Sequence, residues 1–207
     1  KGIYIFSGQA GNTNIHKIDS LLNSDLITTV DEIFADAAIN SYYQQISFLC
    51  KNGVNYSFDP LDFTQIWLNN NNHPVNLNYV SKTRIVDQYI YTGITEGNIF
   101  GYDKNGVARK SAKINSDHHS PGIFIKHSDY LFVNDVPNGP FEPKIEKLNY
   151  ESGIYMNEYE IDFDVVEMYY YDEDHIIIWG NKNNVAKVCT LTVISNIMYQ
   201  LDNFPSE

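Results

Sequence analysis

The sequence predicts an all-β chain: a β-propeller of about five four-stranded antiparallel blades, the first lacking its innermost strand. Three observations lead there. Short runs of β-branched and aromatic residues, suited to a pleated surface, alternate with turn residues along the whole length. One run recurs as YIFSG (4–8), SFLCK (47–51), YIYTG (89–93), LFVND (131–135) and IIIWG (176–180). Its last residues, Gly8, Lys51, Gly93, Asp135 and Gly180, lie 43, 42, 42 and 45 residues apart. A second pattern, apolar-x-x-apolar-Asp/Asn, recurs independently at Ile15–Asp19, Ile99–Asp103 and Ile145–Asn149, and NYSFD (55–59) matches its second half. Four strands in a period of 40 to 45 residues mark a propeller blade. One such sheet cannot bury both faces alone, so neighbours must stack around an axis.

The clearest unit runs from Tyr89 to Val133. Tyr89–Thr92 is a strand, and Gly93 and Gly97 turn the chain. Asn98–Tyr102 is the next strand, closed by Asp103-Lys104-Asn105-Gly106, where Asn-Gly is a strong hairpin signal. Val107–Ile114 is a polar third strand, and residues 115–120 form a polar loop. Gly122–Lys126 is a fourth strand. With the innermost strand named a, these runs are b, c, d and the next a.

The remaining repeats follow that order, at approximately 1–36, 37–74, 75–120, 121–163 and 164–207, as one domain spanning 1–207. Repeat 1 has no strand a. Between repeats 1 and 2, Ile33, Phe34 and Ala37 fall at helical spacing, which opens a short helical turn as an alternative to extended chain. Strand a of repeat 2 is expected near Ile39–Tyr43, and that of repeat 3 within residues 75–85. Four asparagines at 69–72 read as a surface loop. Repeat 4 has an unusually long b-to-c loop with three prolines and an apolar Phe141. In repeat 5, Val165–Tyr171 is a packed inner strand, and the acidic run after it is a turn. The Asp or Asn closing strand c in repeats 1 to 4 can accept hydrogen bonds from the backbone two residues on and so start the turn, and the repeat 5 copy, AKVCT (186–190), is the weakest.

Composition narrows the function. Hydrophobic residues make up 43% of the chain, with 16 Tyr and 11 Phe, enough for a packed sheet core. No run reaches the ~18 apolar residues that a membrane-spanning helix needs. The net charge is −12, from 26 acidic against 14 basic residues. That excess disfavours nucleic acid and anionic membranes as partners, because affinity for phosphate comes from Lys and Arg. Cys50 and Cys189 fall in different repeats and read as small buried hydrophobes rather than a disulfide. The chain opens on Lys1 with no leader sequence in view, as expected of a processed or trimmed start.

Residues 98–106 (NIFGYDKNG), 118–123 (HHSPGI) and 130–134 (YLFVN) together resemble the YVTN-type repeats of bacterial surface-layer and periplasmic propellers. Repeats 3 and 4 carry the resemblance best. It implies a propeller fold and an exported, periplasmic or cell-surface location. Its motifs are structural and imply no activity.

No phosphate loop, zinc-protease, CxxC or nucleophile-elbow pattern is present, so the sequence assigns no catalytic residue, metal or cofactor. The expected role is a binding module for a protein or glycan. Its ligand-binding candidates are His73, Asp117, His118, His119, Asn134, Asp135 and Phe141, all on the end that the d-to-a and b-to-c loops share. Amides, imidazoles and one aromatic suit such a surface. A His before Pro also suits a plain turn, and polar loops are common without a ligand. The alternative is a carbohydrate-active hydrolase or lyase, which needs two carboxylates roughly 5–10 Å apart across a cleft. Glu96, Asp117, Asp135 and Glu142 are the carboxylates available on that end.

Overall fold

The computed structural model describes residues 3–9, 11–50, 53–70, 83–93, 97–115, 119–137, 142–193 and 197–201. They form five antiparallel sheets, each strand paired with its neighbour in sequence. Blade 1 holds β1 (Ile3–Gln9), β2 (Asn12–Ile18) and β3 (Ser24–Val30). Blade 2 holds β4 (Phe34–Asn40), β5 (Gln45–Cys50), β6 (Val54–Phe58) and β7 (Gln65–Asn70). Blade 3 holds β8 (Thr83–Val86), β9 (Tyr89–Gly93), β10 (Asn98–Tyr102) and β11 (Ala108–Lys113). Blade 4 holds β12 (His119–His127), β13 (Tyr130–Pro137), β14 (Lys144–Asn149) and β15 (Tyr155–Glu160). Blade 5 holds β16 (Asp164–Asp172), β17 (His175–Lys182), β18 (Val185–Thr192) and β19 (Ile197–Leu201). This is the expected propeller, three-stranded first blade included.

The core is divided among the blade interfaces. Blades 1 and 2 share a cluster around Ile15, Phe48 and Phe58. Trp67 of blade 2 packs with Ile90 and Tyr102 of blade 3. Tyr91 and Ile99 of blade 3 meet Leu131 and Leu148 of blade 4. Phe132 and Ile145 of blade 4 meet Ile176, Ile178 and Leu191 of blade 5. Each sheet thus hides an apolar face only because the next blade covers it. The inner strands β4, β8, β12 and β16 pack in that order around a central channel.

The turns are made by the residues that the repeat preserves. Asp19, Asp59, Asp103 and Asn149 each close strand c, and each Oδ1 accepts the backbone N–H two residues on, from Leu21, Leu61, Asn105 and Glu151. Leu22, Phe63, Gly106 and Gly153 then take a positive φ in the same place. Glycine at two of these corners also solves a contact problem. A Cβ on Gly106 would stand 2.7 Å from Trp67 of blade 2, and one on Gly153 only 2.1 Å from Ser111 O of blade 3. The corners of blades 3 and 4 therefore sit directly on the outer strand of the blade before them.

Three expectations are corrected. Residues 34–40 are extended rather than helical: β4 pairs with β5 from Phe34↔Cys50 to Asn40↔Gln45, with an irregularity between Phe34 and Asp36. Ladder hydrogen bonding to β5 overrides the short helical spacing, and strand a of repeat 2 starts earlier than 39–43. Residues 119 and 120 belong to β12 rather than a loop, His119 pairing with Pro137 and Ser120 with Val136. The three tyrosines of β16 lie on an inner strand but are not packed. Tyr169, Tyr170 and Tyr171 are 51%, 59% and 63% exposed.

Candidate functional site

The alternation of strands puts the a-to-b and c-to-d turns at one end of the molecule. The b-to-c and d-to-a loops lie at the other. Two arrangements of polar side chains stand out, one at each end.

At the loop end, Asp135 lies near the end of β13 and pairs with Lys144 on β14. Glu146 pairs with Val133 on one side and Glu158 on the other. Side chains two apart on a strand share a face, so Asp135, Lys144, Glu146 and Glu158 all turn toward blade 3. Asp135 and Glu146 are completely buried there. Their carboxyls are close enough to raise each other's cost of ionisation in this dry setting. Burial pushes both well above the ordinary carboxylate range. Both oxygens of Glu146 accept the N–H of Asn115, at 3.0 and 2.8 Å. Lys144 Nζ donates to Glu158 Oε1 at 2.6 Å. The pair thus ties the chain leaving β11 to the middle of blade 4.

The sequence candidates divide around this cluster. His73, Asp117, His118 and Phe141, with Glu96, lie outside the described residues. His119 opens β12 at the same end. Asn134 and Asp135 are neighbours on β13 with side chains on opposite faces, both buried. Asn134 Oδ1 makes no hydrogen bond with the described residues. Glu142 is exposed. Among the described residues no group of His, Cys, Asp and Glu is arranged to hold a metal ion.

At the turn end, the ends of three inner strands enclose a pocket of about 360 Å³. Ile85, Val86 and Asp87 come from blade 3, Phe124 to Ser128 from blade 4, and Tyr170 from blade 5. Asp87 and Ser128 lead their two-residue turns at positive φ, 53° and 52°, which brings the strand ends around the opening. His127 is buried, and its Nε2–H donates to Asp172 O at 2.7 Å, locking blade 4 to the first turn of blade 5. The Tyr170 ring stacks on that imidazole, centroids 5.2 Å apart and planes 21° apart. Lys126 Nζ donates to Asp87 Oδ2 at 2.8 Å and lies 4.4 Å from the centre of the Tyr150 ring. The floor is apolar, the rim is charged, and one aromatic wall is held in place from behind. The run Tyr169–His175 was the available sequence signal for this site. It reads as a packed strand because nothing local shows that these tyrosines are left exposed.

Beneath the pocket, Arg84 on β8 crosses the channel. Its guanidinium donates to Glu167 of β16 at 2.7 Å and lies 3.7 Å from Asp36 of β4.

No protein-family model matches the sequence. The search of curated proteins gives no match either. Solved structures do match in fold. BamB from Moraxella catarrhalis superposes with a TM-score of 0.61 at 9% identity, over 96% of this chain and 65% of that one. The WD40 β-propeller domain of Doa1 gives 0.64 at 9% identity, over 95% and 63%. The Pan2 WD40 domain of Neurospora crassa gives 0.60 at 14%, over 82% and 50%. The chain spans less than two thirds of each of these structures. At such identities the likeness shows the fold, a β-propeller, and nothing finer.

Proposed function

We propose that this chain is a binding module for a protein partner, which docks at the turn-end mouth of the propeller channel. One observation carries the reading: a concave pocket with an exposed tyrosine that is already fixed against a buried histidine. Binding surfaces draw most of their energy from a few large aromatic anchors in or beside pockets. An anchor that is ordered beforehand loses little conformational entropy on docking. Tyr171, the next residue of β16, is more exposed still, its ring edge-on to His175.

The loop end has less support as the docking face. Its polar centre, Asp135 with Glu146, is closed inside the blade 3–blade 4 interface. Carbohydrate hydrolysis there has less support again, since that chemistry needs two carboxyls about 5–10 Å apart and open to substrate. Asp135 and Glu146 are sealed from solvent. An exported setting is supported by the resemblance of repeats 3 and 4 to YVTN-type repeats. Among the described residues, no helix is long and apolar enough to cross a membrane.

Site-specific photo-crosslinking tests the proposal. A photoreactive amino acid at Tyr171 should give a discrete adduct in an extract of the source cells, and excess unmodified chain should compete it away. The same probe at Met156, exposed on the outer strand β15, should not. Equal adducts from both positions, or none from either, would remove the support for this surface.

A further inference from the structure

We infer that the segment docked at the turn-end mouth is basic, presenting an Arg or Lys side chain to the pocket between Ile85, Ile125 and Tyr170. This rests on the protein-binding reading above and names the partner's chemistry.

The charge and shape of this mouth complement a cationic side chain. Three a-to-b turns meet at this end, and they carry Asp87, Asp129, Asp172, Glu173 and Asp174. Lys126 is the one Lys or Arg in the pocket lining, beside the buried His127. Deeper in the channel, Arg84 faces two acids, Glu167 and Asp36, so the interior adds no positive excess. Asp87 is shared with Lys126 and Asp172 with His175, while Asp129, Glu173 and Asp174 add further negative charge to these turns, and a field of that sign draws cationic segments.

The lining suits a cation on an aliphatic stem. A long basic side chain buries its methylenes on apolar surface and keeps its charged head in polar surroundings. Ile85 and Ile125 supply the apolar surface. Asp87 supplies an anion, already shared with one ammonium, that of Lys126. Tyr170 supplies an exposed π face, and a guanidinium stacks on such a face while still donating hydrogen bonds. A pocket of 360 Å³ accommodates one such side chain and its neighbouring backbone. An acidic segment would meet five carboxylates, and a purely apolar one would leave Asp87 and Lys126 poorly solvated.

The test is a titration followed by fluorescence anisotropy. The probes are a labelled peptide of alternating Arg and Ser and its twin with citrulline, the neutral isostere, at every Arg. The Arg peptide should bind, and the citrulline twin should bind roughly ten-fold more weakly or not at all. Tyr170→Leu keeps an apolar wall but removes the π face, and should weaken Arg-peptide binding several-fold. The pair Glu173→Gln and Asp174→Asn should weaken it as well. The pair Asp25→Asn and Asp31→Asn, which removes as much charge from blade 1, should not. Equal binding of the two peptides overturns the inference while leaving the docking surface standing. Equal loss in the rim and blade 1 variants also overturns it, as general attraction to an acidic protein. If neither peptide binds, the inference fails. The crosslink at Tyr171 then decides separately whether a partner of other chemistry uses the surface.

Discussion

Arg84 Nη2 donates to Glu167 Oε2 at 2.7 Å, joining the inner strands of blades 3 and 5, which are not neighbours in the ring. The same guanidinium lies 3.7 Å from Asp36 of blade 2. Each of the three side chains keeps about a quarter of its surface in water. One arginine thus holds three blades together across the channel, a contact that stacking of successive blades does not supply.

Removing that arginine should cost stability. Arg84→Met leaves Glu167 and Asp36 facing each other and should lower unfolding free energy by about 1–2 kcal/mol, between the surface and buried cases for ion pairs. A double-mutant cycle with Glu167→Gln, read by urea unfolding, should give a coupling energy of about 1 kcal/mol. A coupling near zero would mean that the pair does not act as a crosslink.

The blade corners make a second prediction, with opposite signs at equivalent positions. Gly153 has φ +69° and no room for a Cβ against Ser111 O. Gly153→Ala should destabilise by more than about 2 kcal/mol, combining overpacking with a left-handed alanine. Leu22 holds the corresponding place in blade 1 at φ 66° and is 81% exposed. Leu22→Gly relieves the strain and loses little packing, so it should be neutral or stabilise by up to about 1 kcal/mol. Thermal melts of the two variants decide it.

The carboxyl pair of blade 4 predicts a pH dependence. Asp135 and Glu146 hold protons more tightly in the folded chain than in the unfolded one, whose carboxyls titrate near 3.8 and 4.5. Their contribution to stability is therefore complete below about pH 4. It falls as pH rises and is lost beyond about 7, where both would be ionised together. Asp135→Asn keeps the shape of the side chain and removes one of the two titrating groups. Urea unfolding at pH 5 and pH 8 should show the variant losing less stability than the wild type over that interval. Parallel losses would place the pH dependence elsewhere.

The two thiols should be silent in the folded protein. Cys50 and Cys189 are buried and unbridged, and burial pushes both thiols up to about 12. A thiol reagent at pH 8 should label neither until denaturant is added, and then both. Rapid labelling of the native chain would contradict the packing of blades 2 and 5.

The repeat was legible because its turn chemistry is local. The Asp or Asn after strand c bonds to its own next few residues, so the same letters had to return every 42 or so positions. β4 was less legible. Its pairing partner lies beyond the next turn, and Phe34 and Ala37 suit a helix as well as a strand. The candidate site was legible only in part. Asp135 stands out because it fills a place that Gly8, Gly93 and Gly180 hold in other repeats. The pairing of Arg84 with Glu167 leaves no trace in a chain where 83 residues separate them. The turn-end pocket draws its walls from three blades, and no single stretch of sequence contains enough of it to be noticed.

The corner glycines have a genealogical consequence. Because blades 3 and 4 each bring a clasp for the blade before, a segment of that kind copied in tandem arrives already able to fasten to its parent. Such a chain can lengthen one module at a time, with no simultaneous invention of matching surfaces. A rigid outer corner and freely varying loops at the opposite end are what that history would leave behind.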